Sequence, residues 1–114
     1  MELSSQNYAG GVVIAVEAPR IVAACAIAFK DQVKEHSKSV GPRIVLDLRK
    51  VDFIDSSGLG AIVATKKQLA DGQELELACL SPTVAKVFHL TRMDSVFTIH
   101  SSMDDLDIGR KTSS

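Results

Sequence analysis

The period of apolar and polar residues changes several times along this chain, and each change predicts an element. Residues 1–8 are weakly patterned and read as an edge strand. "GGVVIAVEA" at 10–18 is β-branched and bounded by glycines, which predicts a second strand, broken by Pro19. The tight Ala9-Gly10-Gly11 turn allows the two to pair antiparallel at a sheet edge. Residues 20–38 repeat apolar positions at spacings of three and four (Ile21, Cys25, Ala28, Phe29, Val33), with Lys30, Lys34, Glu35 and Lys38 on the other faces. That is a helical period. After the Gly41-Pro42 turn, "RIVLDL" at 43–48 is apolar on nearly every position, as in a strand covered on both faces.

A strand-like run then ends in "IDSSGLG" at 54–60. A helix follows with Leu59, Ile62, Val63 and Leu69 as its apolar stripe and Asp71-Gly72 as its stop. "QELELACL" at 73–80 alternates, placing Leu75 and Leu77 on one face and Glu74 and Glu76 on the other. Ser81-Pro82 starts a further helix with a capping hydroxyl and a proline in the first turn. Its stripe is Val84, Val87 and Phe88. "SVFTIH" at 95–100 reads as a strand. "SSMDDLDIG" at 101–109 reads as a last helix, with Asp104 three residues after Ser101 in capping-box-like spacing, before a frayed tail at 110–114. Strands that alternate with helices predict an α/β layer architecture around a mostly parallel sheet.

Composition changes this picture little. At 114 residues, 46% hydrophobic and 24% charged, the chain fits one domain, expected to span 1–114. With four Phe, one Tyr and no Trp, the core must rest on Val, Ile, Leu and Ala. The formal net charge is -1 with both signs interspersed, so no basic face for a nucleic acid is expected. The longest apolar run, "IVAACAIAF" at 21–29, is far short of the roughly 20 residues of a membrane span. The first ten residues lack the pattern of a signal peptide. Cys25 and Cys79 lie in separate apolar runs and read as reduced, buried thiols, which with the missing leader predicts a cytoplasmic protein.

The segment that asks for chemistry is "VDFIDSSGLG" at 51–60. Helix N-termini expose unpaired N–H groups and prefer Ser or Asp, so capping explains one such residue. It does not explain three of them before two glycines that bare the backbone. A nucleophile elbow would be G-x-S-x-G, but the first glycine is missing here. None of the three histidines (His36, His89, His100) is patterned as a base. There is no phosphate-binding loop motif, and no Cys or His pair has metal-ligand spacing. No cofactor is expected. A phosphate acceptor is the third reading, open beside the cap: a phosphoserine adds roughly -1.5 to -2 charge beside Asp55 and acts on whatever docks there.

"VLDLRKVDFIDSSGLGAIV" closely resembles the signature of the STAS-domain anti-sigma factor antagonists. "DGQELELACLSPTVAKVFHLTRMDSVFTI" is similar to the same family's downstream pattern, so the resemblance covers about residues 10–100. It implies a STAS fold: a small, mixed, mostly parallel sheet of about five strands with about four helices packed largely on one face. It also implies a protein that is not an enzyme. Such a protein binds an anti-sigma factor that is itself a serine kinase of the histidine-kinase-like ATPase fold. The unphosphorylated antagonist captures this kinase and frees its sigma factor or other target. The kinase phosphorylates the first serine of the motif, here Ser56, and the complex parts. A PP2C-type phosphatase restores it. Position for position, Asp55, Ser57 and Asp47 are the surroundings of the phosphosite, and Gly58, Leu59 and Gly60 the surface read by the partner. A monomer or weak dimer is expected, with no nucleic-acid or membrane partner. The alternative is a structural STAS subunit of a stress-sensing scaffold or of a lipid-transport ABC system. Two residues depart from the family pattern. Pro19 stands where an Asp is usual, and Arg92 where a Gly is usual.

Overall fold

The computed structural model describes residues 1–38 and 41–103. In chain order they form β1 (Leu3–Tyr8), β2 (Gly11–Val16), β3 (Arg20–Ile21), a 3-10 turn at Ala23–Cys25 and α1 (Ala26–His36). Then come β4 (Arg43–Asp47), β5 (Phe53–Ile54), α2 (Ser56–Gln68), β6 (Glu74–Ala78), α3 (Pro82–Leu90), a 3-10 turn at Met93–Ser95 and β7 (Thr98–His100). The main sheet has the order β1-β2-β4-β6-β7. β1 pairs antiparallel with β2 through the Tyr8–Gly11 hairpin, and the remaining neighbours are parallel. The mixed five-stranded sheet agrees with the sequence reading.

One face carries the core. Ile14, Leu46 and Leu77 meet Phe29 of α1, Ile62 of α2 and Phe88 of α3, all fully buried. Phe88 packs edge-on against Phe97 at 6.0 Å between centroids, one of the few aromatic contacts in a core otherwise aliphatic. Among the described residues the three α-helices pack on this face through Phe29 and Val33 of α1, Ala61 and Ile62 of α2, and Val84 and Phe88 of α3. The other face holds a small cluster of Val13, Val45 and Ala78, with Tyr8, Cys79 and Met103 against it. Polar side chains close it further. Arg43 donates two hydrogen bonds of 2.7 Å to Glu76, and Glu76 also contacts His100 Nε2 at 2.6 Å. The Arg43 guanidinium holds the Glu76 carboxyl below its ordinary range despite burial, and His100 adds to this. β4 is thus buried on both faces, but by helices on one and by a charged cluster on the other.

Several boundaries differ from the expectation. The first helix begins at Ala26 rather than near residue 20. Arg20–Ile21 instead pair in parallel with Phe53–Ile54, because Ile21 is fully buried there and Asp52 and Phe53 donate their N–H groups to the Pro19 carbonyl (2.7 and 3.2 Å). Ala28, placed in the predicted stripe, is exposed. The last strand shortens to Thr98–His100 because Met93–Ser95 wind into a 3-10 turn. α2 ends at Gln68, and Gly72, at φ +86°, turns the chain toward β6. The predicted helix at 101–109 lies outside the described residues beyond Met103.

Arg92 has a structural reason to be unusual. It adopts φ 60°, ψ 20°, the left-handed region that costs an L-residue about 1–2 kcal/mol and glycine almost nothing. Glycine also loosens the unfolded chain, offsetting about half of that gain. Arg92→Gly is therefore expected to stabilise the fold by about 0.5–1 kcal/mol, read as a melting temperature higher by roughly 2–6 °C.

Candidate functional site

The site is built where β5 runs into α2. β5 is fixed through β3, since Asp55 donates its N–H to the Ile21 carbonyl at 3.3 Å just past the paired residues. Asp55 has extended backbone and is the N-cap of α2. Its Oδ1 accepts from the Gly58 N–H at 2.7 Å. Its Oδ2 accepts from the Ala23 N–H at 3.1 Å, in the 3-10 turn before α1. One carboxylate therefore caps α2 and ties it to a segment 32 residues earlier. The Gly58 N–H draws the Asp55 carboxyl below its ordinary pKa; burial opposes this, and the Ala23 N–H adds to it.

A carboxyl more acidic in the folded state stabilises that state fully above its ordinary value, about pH 4. The contribution is lost as pH falls through the depressed folded value. Asp55→Ala is expected to lower the melting temperature at neutral pH. It should also remove part of the loss of stability below about pH 4 that thermal melts of the wild type record.

With Asp55 in the capping position, neither serine is needed as a cap. Ser56 and Ser57 are the first two residues of α2, both exposed, and neither hydroxyl has a hydrogen bond among the described residues. Gly58 is buried, and its position explains why no other residue stands there: a Cβ would lie 2.0 Å from the Ile21 carbonyl oxygen. Gly60 is the opposite case. It is exposed, and a Cβ there would meet nothing within 4 Å. The fold does not require this second glycine. Leu59 is half-buried and packs against the core. Ser56, Leu59 and Gly60 line one end of a shallow groove of about 400 Å³ that continues along α2 past Val63, Ala64 and Lys67 to Met93.

Asp47 is not part of this cluster. It shares a face with Val45, away from the helices, and binds Arg49 through Nε at 3.0 and 3.1 Å and through the backbone N–H at 3.1 Å. Pro19 acts through its carbonyl, which holds β5. Glu17, two residues before it, pairs with Lys50 at 2.8 Å. Sequence reasoning missed the roles of Ile21 and Ala23, and the stacking of Arg20 on the half-exposed ring of Phe53 (5.4 Å to the centroid). Two-residue strands carry no period, so no signal announced them.

The arrangement supplies little for catalysis. His36 pairs with Ser5, His89 with Asp94 and His100 with Glu76, none with Ser56. Among the described residues no three His, Cys, Asp or Glu side chains converge as a metal site, and no helix is long and apolar enough to cross a membrane. What the site offers is a free hydroxyl on a rigid, pinned helix start beside an open groove.

Residues 3–106 match the family model described as STAS domain. A curated relative from Bordetella bronchiseptica, provisionally named anti-sigma factor antagonist BtrV, is 38% identical over 71 residues. The match spans 61% of this chain and 61% of that protein, less than two thirds of its length. The fold is similar to an anti-sigma factor antagonist from Mycobacterium paratuberculosis (TM-score 0.79, 25% identity, 91% of this chain and 88% of the other). It is also similar to the anti-sigma factor antagonist SpoIIAA in its unphosphorylated form (TM-score 0.71, 19% identity, 91% of each chain).

Proposed function

This chain belongs to the STAS domain family, and on that premise we propose that it is an anti-sigma factor antagonist switched by phosphate on Ser56. Unphosphorylated, it binds an anti-sigma factor that is also a serine kinase of the histidine-kinase-like ATPase fold, and so releases a sigma factor or another target. The kinase transfers the γ-phosphoryl group of ATP to the Ser56 hydroxyl oxygen, with loss of its proton, leaving ADP, and the complex parts. A PP2C-type phosphatase hydrolyses the phosphoester and restores the binding form. The chain itself catalyses nothing in this cycle, and we place the cycle in the cytoplasm, carried by a single domain over 1–114.

The observation that carries this reading is the exposed, unbonded hydroxyl of Ser56 beside a capping position already filled by Asp55. Phosphate on Ser56 cannot take the Gly58 N–H without displacing a carboxylate, so it projects from the surface. There it adds roughly -1.5 to -2 charge without any need for the fold to change. At an interface, that charge acts through repulsion and desolvation. The test is incubation with the cognate kinase and ATP, followed by mass-spectrometric mapping. One phosphate on Ser56, absent from Ser56→Ala, is the expected result. Phosphate that persists on Ser56→Ala, on Ser57 for instance, removes the proposed role of Ser56.

A further inference from the structure

The groove along α2 has a chemical character that the switch serine alone does not explain. Its floor is apolar, made by Leu59, Val63, Ala64 and Met93. Lys67, exposed, lines it as well, and the exposed Arg92 stands just outside the lining, next in the chain to Met93. Neither cation has a hydrogen bond or ion pair among the described residues. The carboxylates of this region are engaged elsewhere: Asp94 with His89 (3.2 Å), Glu74 with Lys66 (3.1 Å), and Asp55 with two backbone N–H groups. No acid lines the groove.

Two further observations favour an occupant. Arg92 holds a left-handed backbone that glycine would adopt more cheaply, and strain retained at an exposed residue beside a cleft is a common mark of a functional side chain. Gly60 lines the same groove, and nothing in the fold forbids a side chain there, which leaves the cleft open over α2.

We propose that this groove receives an acidic amphipathic segment of the partner protein, its apolar residues on the floor and its carboxylates against Lys67 and Arg92. The inference rests on the partner-switching reading and gives it a direction. An acidic occupant that ends near Ser56 is the kind of ligand that a new dianion at Ser56 expels, while a basic one would be drawn in.

The test uses two synthetic peptides of one length with leucines at helical spacing, one flanked by glutamates and the other by lysines. Each is titrated into the isotopically labelled protein and followed by NMR. The glutamate peptide is expected to shift the amides of Gly60, Val63, Ala64 and Met93. Its affinity should exceed that of the lysine peptide roughly tenfold, the worth of two rim ion pairs. The double variant Lys67→Glu with Arg92→Glu should reverse that preference. Gly60→Gln, which meets no neighbouring atom, should abolish binding while the spectrum stays folded. Equal affinity for the two peptides, shifts on another surface, self-association through this face, or no binding of either peptide would each overturn the proposal. The phosphate-mapping experiment separates the two levels. If Ser56 is phosphorylated and the peptides are not discriminated, only the groove assignment falls. If Ser56 is not phosphorylated, the switch falls whatever the peptides do.

Discussion

Gly58→Ala is expected to destabilise the fold by about 3 kcal/mol, more than any surface change discussed above. The added methyl would stand 2.0 Å from the Ile21 carbonyl oxygen, and neither partner can yield. The oxygen accepts from the Asp55 N–H, and the Gly58 N–H is held by Asp55 Oδ1. Relief requires α2 to move away from β3, which breaks the carboxylate bridge to Ala23 as well. In a domain of this size the change corresponds to a fall in melting temperature of roughly 12–24 °C. Gly60→Ala, two residues on, should have the opposite sign. Its methyl meets open space, and alanine is the better helix former by about 0.5–1 kcal/mol. Thermal melts of both variants check the pair. A stable Gly58→Ala protein would mean that α2 is not seated on the Ile21 carbonyl.

Ser56→Asp is expected to leave stability nearly unchanged and to weaken kinase binding by at least about tenfold, a cost of roughly 1.4 kcal/mol or more. An acid in the first turn of a helix is favourable by a few tenths of a kcal/mol, which offsets its repulsion from Asp55. At the proposed interface nothing would offset it, because a carboxylate there would have to be desolvated against a partner surface that takes a neutral hydroxyl. Calorimetric titration of the kinase reads the affinity, and a thermal melt reads the fold. A loss of both together would mean that Ser56 acts through structure rather than through charge.

Much of this was legible in the sequence, for local reasons. Ala9-Gly10 between two strand patterns predicted the β1–β2 hairpin, Ser81-Pro82 predicted the start of α3, and the alternation of 73–80 put Leu75 and Leu77 in the core with Glu76 opposite. The "DSSGLG" segment stood out because its residues exceed what a cap needs. What was not legible depends on contacts between distant segments. β3 and β5 are too short to show a period, and Ile21 is buried by its parallel neighbour rather than by a helix stripe, so the first helix was read as six residues too long at its start. Asp47 ends a strand buried on both faces. Such a strand does not disclose which side an acid takes, and the structure turns Asp47 toward Arg49, away from the helices. Nor could spacing separate the two glycines of the motif. One is dictated by a carbonyl from a segment far away in sequence, and the other is left free by the fold.

The central claim is that one phosphate on Ser56 decides whether the partner stays bound. The most direct measurement is a calorimetric titration of the cognate anti-sigma factor kinase with two preparations of this chain, one unphosphorylated and one carrying phosphate only on Ser56. Tight binding by the first and an affinity at least about tenfold lower for the second, with identical melting curves, is the expected result. Equal affinity of the two preparations would contradict it.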